Sequence, residues 1–104
     1  MIKSRGERIS AKEVERAIDG IEGVNECAVI GVPDEIFGKA IKAFIACQPG
    51  IQLEAKEVLR HCVGRLESYA VPKYVEFMEV LPKTAHGKID KKKLLQLHTQ
   101  TQTQ

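Results

Sequence analysis

The sequence predicts an α+β domain: a small, mostly antiparallel three-stranded sheet with packed helices, entered through an extended or hairpin-like N-terminal segment. Three observations predict it. Residues 24–32, rich in β-branched side chains, and 39–47, apolar but for its lysines, are separated by a short loop carrying Pro33 and Gly38. A third alternating stretch follows at residues 74–80. Around these lie three segments whose apolar residues recur at helical spacing.

Each element has a local cause. Ser10-Ala11-Lys12-Glu13 has the form of a capping box, in which the Ser hydroxyl takes a free N–H and the Glu reaches back. Val14, Ala17, Ile18 and Ile21 then repeat on one helical face, and Gly20 and Gly23 end the element. Val24–Val32 reads as a strand closed by Gly31 and Pro33, and Pro33-Asp34-Glu35 as a turn whose acids are turn formers. Lys39–Cys47 is the second strand, with Ile41, Ala43, Ile45 and Cys47 on one face and Lys42 and Phe44 on the other. A short loop joins the two, so they most simply pair antiparallel.

Pro49-Gly50 breaks the chain before the clearest amphipathic helix, carried by Ala55, Val58, Leu59, Cys62, Val63 and Leu66. Gly64 inside that pattern costs about 1 kcal/mol against Ala and points to fraying or close packing at the helix end. Pro72 precedes the strand Tyr74–Val80, and Asp90 can cap a last helix bearing Leu94, Leu95 and Leu97. His98–Gln104 offers alternating Thr and Gln with nothing apolar to bury, so residues 1–97 are expected to form the domain and 98–104 a disordered tail.

Composition excludes several classes of function. The chain has 104 residues, 43% hydrophobic and 29% charged, with a net charge of +2, an ordinary globular balance for one domain. That charge gives no case for nucleic acid, and the few aromatics are not grouped as a base-stacking sheet requires. No apolar run is long enough to span a bilayer. Cys27, Cys47 and Cys62 are odd in number and widely spaced, which suggests buried thiols in a reducing compartment, the cytoplasm. With His61 they make no recognisable metal spacing, so no metal site is assigned.

The most informative stretch is Pro82-Lys83-Thr84-Ala85-His86-Gly87-Lys88. Proline fixes the backbone at its start, and Gly87 allows a turn where a Cβ would clash, leaving Lys88 between a loop and the helix that Ile89-Asp90 begins. From the loop alone, Lys88 reads first as a solvated turn lysine. Three other blocks accompany it in order: Ile2-Lys3-Ser4-Arg5-Gly6-Glu7-Arg8-Ile9-Ser10, Ala28-Val29-Ile30-Gly31-Val32-Pro33-Asp34-Glu35 with Gly38, and Leu66-Glu67-Ser68-Tyr69-Ala70-Val71-Pro72-Lys73. Together the four blocks resemble the small C-terminal domain of AMP-forming acyl-CoA synthetases. Their relatives include aryl-CoA synthetases, peptide-synthetase adenylation domains and firefly luciferase.

The resemblance implies a mobile lid that serves two half-reactions. ATP and a carboxylic acid first give an acyl-adenylate and pyrophosphate; CoA then gives the thioester and AMP. It assigns Lys88, next to Gly87, as the lysine that stabilises charge during adenylation, a contact of about 3 kcal/mol in a dry site. It assigns Lys3, Gly6 and Arg8 to the thioester-forming face, with Gly6 where the backbone lies against the pantetheine arm. The partner is the ligase's own large N-terminal domain, which carries the phosphate loop, the acyl pocket and the expected Mg²⁺ site. None of those motifs occurs in this chain, so alone it is expected to be inert. Lys91, Lys92 and Lys93 oppose the dipole of the last helix and read as a solvated run, and His86 as an exposed loop residue. The alternative is a non-catalytic module that dimerises or docks through its sheet.

Overall fold

The computed structural model describes residues 2–4, 7–36 and 38–102. The chain opens with an antiparallel ribbon, β1 (Ile2–Ser4) and β2 (Glu7–Ile9), in which Ile2 pairs with Ile9 and Lys3 with Arg8. Helix α1 (Ala11–Asp19) starts at Ser10, whose hydroxyl accepts the Glu13 N–H at 3.4 Å, the serine half of the expected box.

β3 (Val24–Asp34) and β4 (Gly38–Cys47) form the expected antiparallel pair, with a bulge between Val24 and Glu26. Helix α2 (Ala55–Val63) and a 3₁₀ turn (Ser68–Ala70) lead to β5 (Tyr74–Phe77), and α3 (Lys91–Gln102) closes the chain. The sheet order is β3-β4-β5. The long pairing is antiparallel, while β5 runs parallel to β4, from Lys42↔Tyr74 to Ile45↔Phe77. A parallel neighbour needs a crossover, and α2 supplies it.

Both faces of the sheet are buried. On one, Cys27, Val29, Ile41, Ala43 and Ile45 pack with Val14 and Ile18 of α1, Val58 and Cys62 of α2, and Ile2 and Ile9 of the ribbon. On the other, Ala28, Ile30, Val32, Ala40, Phe44 and Ala46 pack with Leu81 and with Leu94 of α3. Burial on two sides explains why β4 is apolar nearly throughout and does not alternate cleanly. The free edge of β3 is covered too: the Val29 N–H donates to Glu15 Oε2 of α1 at 2.8 Å.

Several boundaries differ from expectation. α2 stops at Val63, because Gly64 is its C-cap; Val63 is largely exposed, so the apolar stripe no longer has a wall to face. β5 ends at Phe77, and Val80 beyond it is exposed. The last helix runs the other way, into the expected tail. His98 lies one turn after Leu94 and is buried, its Nδ1 2.8 Å from Lys42 Nζ. A buried polar partner gives His98 a reason to order that composition alone did not supply. Residues 103–104 lie outside the described residues.

Candidate functional site

Lys88 stands on a compact loop whose two stems are held in the core by Leu81 and Leu94. Lys83 and Ile89 face each other as an antiparallel bridge, and the Asp90 N–H donates to Pro82 O at 2.8 Å. Inside that base, Thr84 bonds four times. Its N–H donates to Lys88 O at 2.7 Å and its carbonyl accepts from the Gly87 N–H at 3.0 Å. Its hydroxyl accepts from the His86 and Lys88 N–H groups, each at 3.3 Å. Residues 83–88 are exposed, so the Lys88 ammonium projects from an ordered scaffold into solvent.

Gly87 holds φ at +81°, but a Cβ there would meet nothing within 4 Å. The expected clash is therefore corrected: backbone angle, not crowding, selects glycine. Asp90 caps α3 as expected, its Oδ1 accepting the Lys93 N–H at 3.1 Å.

Two ion pairs flank the loop, and neither was legible in the sequence. Lys83 Nζ lies 2.8 Å from Glu26 Oε1 at the β3 bulge. Lys91 Nζ lies 3.0 Å from Glu15 Oε2, the same oxygen that takes the Val29 N–H. Lys91 thus leaves the solvated run assigned to it, while Lys92 and Lys93 remain exposed. Asp34 is a turn former: its Oδ1 accepts the Ile36 N–H at 2.8 Å and its Oδ2 pairs with Lys73 at 2.6 Å.

The N-terminal ribbon carries the second set of predicted residues. Lys3 and Arg8 are ladder partners, and Gly6 lies outside the described residues. Arg8 is exposed beside buried Ile9 and lines a cleft of about 450 Å³ together with Ser10, Glu13, Arg65 and Tyr69. Arg65 and Tyr69, on the segment after α2, were not singled out from the sequence; only the fold brings them to the ribbon.

The ribbon and the Lys88 loop belong to opposite faces of one sheet, through Ile2 and Ile9 on one side and Leu81 and Leu94 on the other. Burial, with Asp19 beside it, pushes the Cys27 thiol far up, and burial raises Cys62, so both are inert thiols. Among the described residues no group of three or more His, Cys, Asp or Glu could hold a metal, and no helix is long and apolar enough to cross a membrane.

Comparison with known proteins gives a consistent answer. A family profile described as AMP-binding enzyme C-terminal domain matches residues 13–88. A feruloyl-CoA synthase from an Amycolatopsis species is 46% identical over 89 residues, 86% of this chain and 18% of the relative. A long-chain-fatty-acid–CoA ligase from Bacillus subtilis (strain 168) is 39% identical over 100 residues, 96% of this chain and 18% of the relative. The solved fatty acyl CoA synthetase of Mycobacterium tuberculosis superposes with a TM-score of 0.90 at 37% identity, covering 97% of this chain and 20% of that one. The chain thus spans about a fifth of the length of these relatives.

Proposed function

The chain belongs to the AMP-binding enzyme C-terminal domain family, and on that premise we propose that it is the mobile lid of an AMP-forming carboxylic acid–CoA ligase. The observation that supports the reading is that the ribbon and the Lys88 loop are anchored on opposite faces of one sheet. A lid that presents one face for adenylation and the other for thioester formation needs that separation.

In the first half-reaction a carboxylate oxygen attacks the α-phosphorus of ATP, and the bond to pyrophosphate breaks. Two anions approach, and negative charge grows on the phosphate oxygens. Lys88 supplies a fixed cation there, carried into the site on the Thr84-bonded loop. In the second, the thiolate of CoA attacks the adenylate carbonyl and AMP leaves. By the resemblance, the backbone at Gly6 is where the pantetheine arm would lie. Arg8 and Arg65 beside the cleft provide positive charge for phosphates.

Mg²⁺ is expected with the large domain. The residues described in this chain bring together no ligand set for it, so no step here runs through the ion. The acid, its pocket and the phosphate-binding loop are expected in the large domain as well, so that domain is the proposed partner and the isolated chain is expected to be inactive; the free, widely spaced cysteines support the cytoplasm as the proposed compartment. The alternative of docking through an open sheet face has less support, since the chain's own elements cover both faces.

The test uses the complete ligase. Lys88→Ala should slow adenylation, read by pyrophosphate exchange, by about 10²- to 10³-fold while sparing thioesterification of supplied acyl-adenylate. Gly6→Leu should do the reverse. If each change damaged both half-reactions equally, the two-face reading would fall.

A further inference from the structure

We propose that Thr84 is a positioning residue for Lys88, and that its hydroxyl sets the direction in which the ammonium is presented during adenylation. This rests on the reading of Lys88 as the adenylation lysine.

The loop divides into a base and a tip with different supports. The base is fixed by buried Leu81 and Leu94, by the bond from the Asp90 N–H to Pro82 O, and by the Lys83–Glu26 pair at 2.8 Å. The tip, Ala85 to Lys88, is exposed. What orders the tip is Thr84. Its hydroxyl takes the amides of residues 86 and 88, two residues apart on one side of the turn. Its own peptide closes the ring onto Lys88 O and the Gly87 N–H. The Lys88 amide donates to the Thr84 hydroxyl, so the Cα–Cβ direction of Lys88 depends on that oxygen.

Thr84 is itself exposed, which removes a packing explanation for the side chain. A methyl in place of the hydroxyl keeps the shape but offers the two amides no acceptor. They would turn to water, and the tip would sample several directions. Lys88 would keep its charge and lose its aim. Because a displacement near 1 Å can cost about 10²-fold in a positioned reaction, the loss should fall on turnover and not on binding.

The experiment compares Thr84→Val, Thr84→Ser and Lys88→Ala in the complete ligase, with amide hydrogen exchange on the same proteins. Thr84→Val should lower kcat for adenylation by about 10- to 100-fold. KM for ATP and acid, and thioesterification of supplied acyl-adenylate, should stay within about threefold of wild type. Thr84→Ser, which keeps the acceptor, should restore adenylation. Exchange at the His86 and Lys88 amides should accelerate by about tenfold or more in the Val variant and return in the Ser variant, with the Leu94 amide unchanged.

Normal adenylation in Thr84→Val beside a defective Lys88→Ala would overturn the role of Thr84 and leave the function of Lys88 standing. Normal adenylation in Lys88→Ala would overturn both. Equal loss in the Val and Ser variants would show that the hydroxyl is not the cause.

Discussion

Gly87 holds φ at +81° in open space, and that combination makes a clean prediction about one residue. Alanine would fit sterically but would carry the left-handed penalty of about 1–2 kcal/mol. Gly87→Ala should therefore destabilise the loop by about 1 kcal/mol and slow adenylation without touching the far face. Urea titration and the two half-reaction assays read this directly, and an unchanged variant would refute it. Residue roles of this kind were partly legible. Gly-Lys in a turn, Ser10 before α1 and Asp90 before α3 announce themselves because the groups they serve are two to four residues away. Glu54 is the counterexample: it is the N-cap of α2, with its N–H donating to Glu57 Oε1 at 3.1 Å, yet a glutamate is a poor cap by type. The Glu26 and Glu15 pairings with Lys83 and Lys91 were illegible for a different reason. They join residues far apart in sequence, and only the sheet brings them within reach.

At the scale of elements, α3 shows what burial on a second face conceals from a sequence. Lys42 looks like a polar break in β4, and His98 like the start of a polar tail, because each is read against its own segment. Folded, they meet. Lys42 Nζ sits between Glu76 Oε1 at 2.9 Å and His98 Nδ1 at 2.8 Å, with the Phe44 ring 4.7 Å away and the Tyr74 ring 5.7 Å from the imidazole. An ammonium has only donors, so His98 Nδ1 must present a lone pair, and the ring is neutral with its proton on Nε2. Burial first, then the Lys42 charge, lowers the His98 pKa, and Glu76 opposes them. The folded pKa is thus below the unfolded value of about 6.5, so the unfolded chain binds the proton more readily. The stability held by this contact is complete above pH 6.5 and is lost as pH falls through the folded pKa. Acid should loosen the C-terminal half of α3 before the rest of the fold. His98→Gln, which keeps an acceptor but cannot titrate, should flatten the change in urea midpoint between about pH 7 and 5. Parallel slopes for wild type and variant would remove His98 from the account. The parallel setting of β5 was hidden in the same way: alternation marks a strand but carries no direction, which here is fixed by the α2 crossover.

For the whole molecule, the consequence of the two-face arrangement is that damage should be separable by face. The place to test it is Gly31, on the face that carries the ribbon. A Cβ added there would stand 2.9 Å from Ile2 Cγ2. Ile2 is a branched residue of the core cluster holding the ribbon, so it cannot swing clear as the end of a flexible chain would. Gly31→Ala should push β1 away from the sheet at a cost of about 1–3 kcal/mol, the range for inserting a methyl into a packed site. The Lys88 loop hangs from the opposite cluster and meets β3 through side chains alone: Lys83 pairs with Glu26, five residues back, and Lys91 with the Glu15 carboxylate that takes the Val29 N–H. It should not feel the change. In the complete ligase, Gly31→Ala should therefore weaken thioester formation more than adenylation, the mirror image of Gly87→Ala. Packed cores transmit strain, so the sheet itself is the conduit by which this separation would fail. If pyrophosphate exchange fell as far as thioester formation in Gly31→Ala, with the fold intact by thermal melting, the two faces would be mechanically coupled. The lid would then act as one rigid site whose parts cannot be tuned apart.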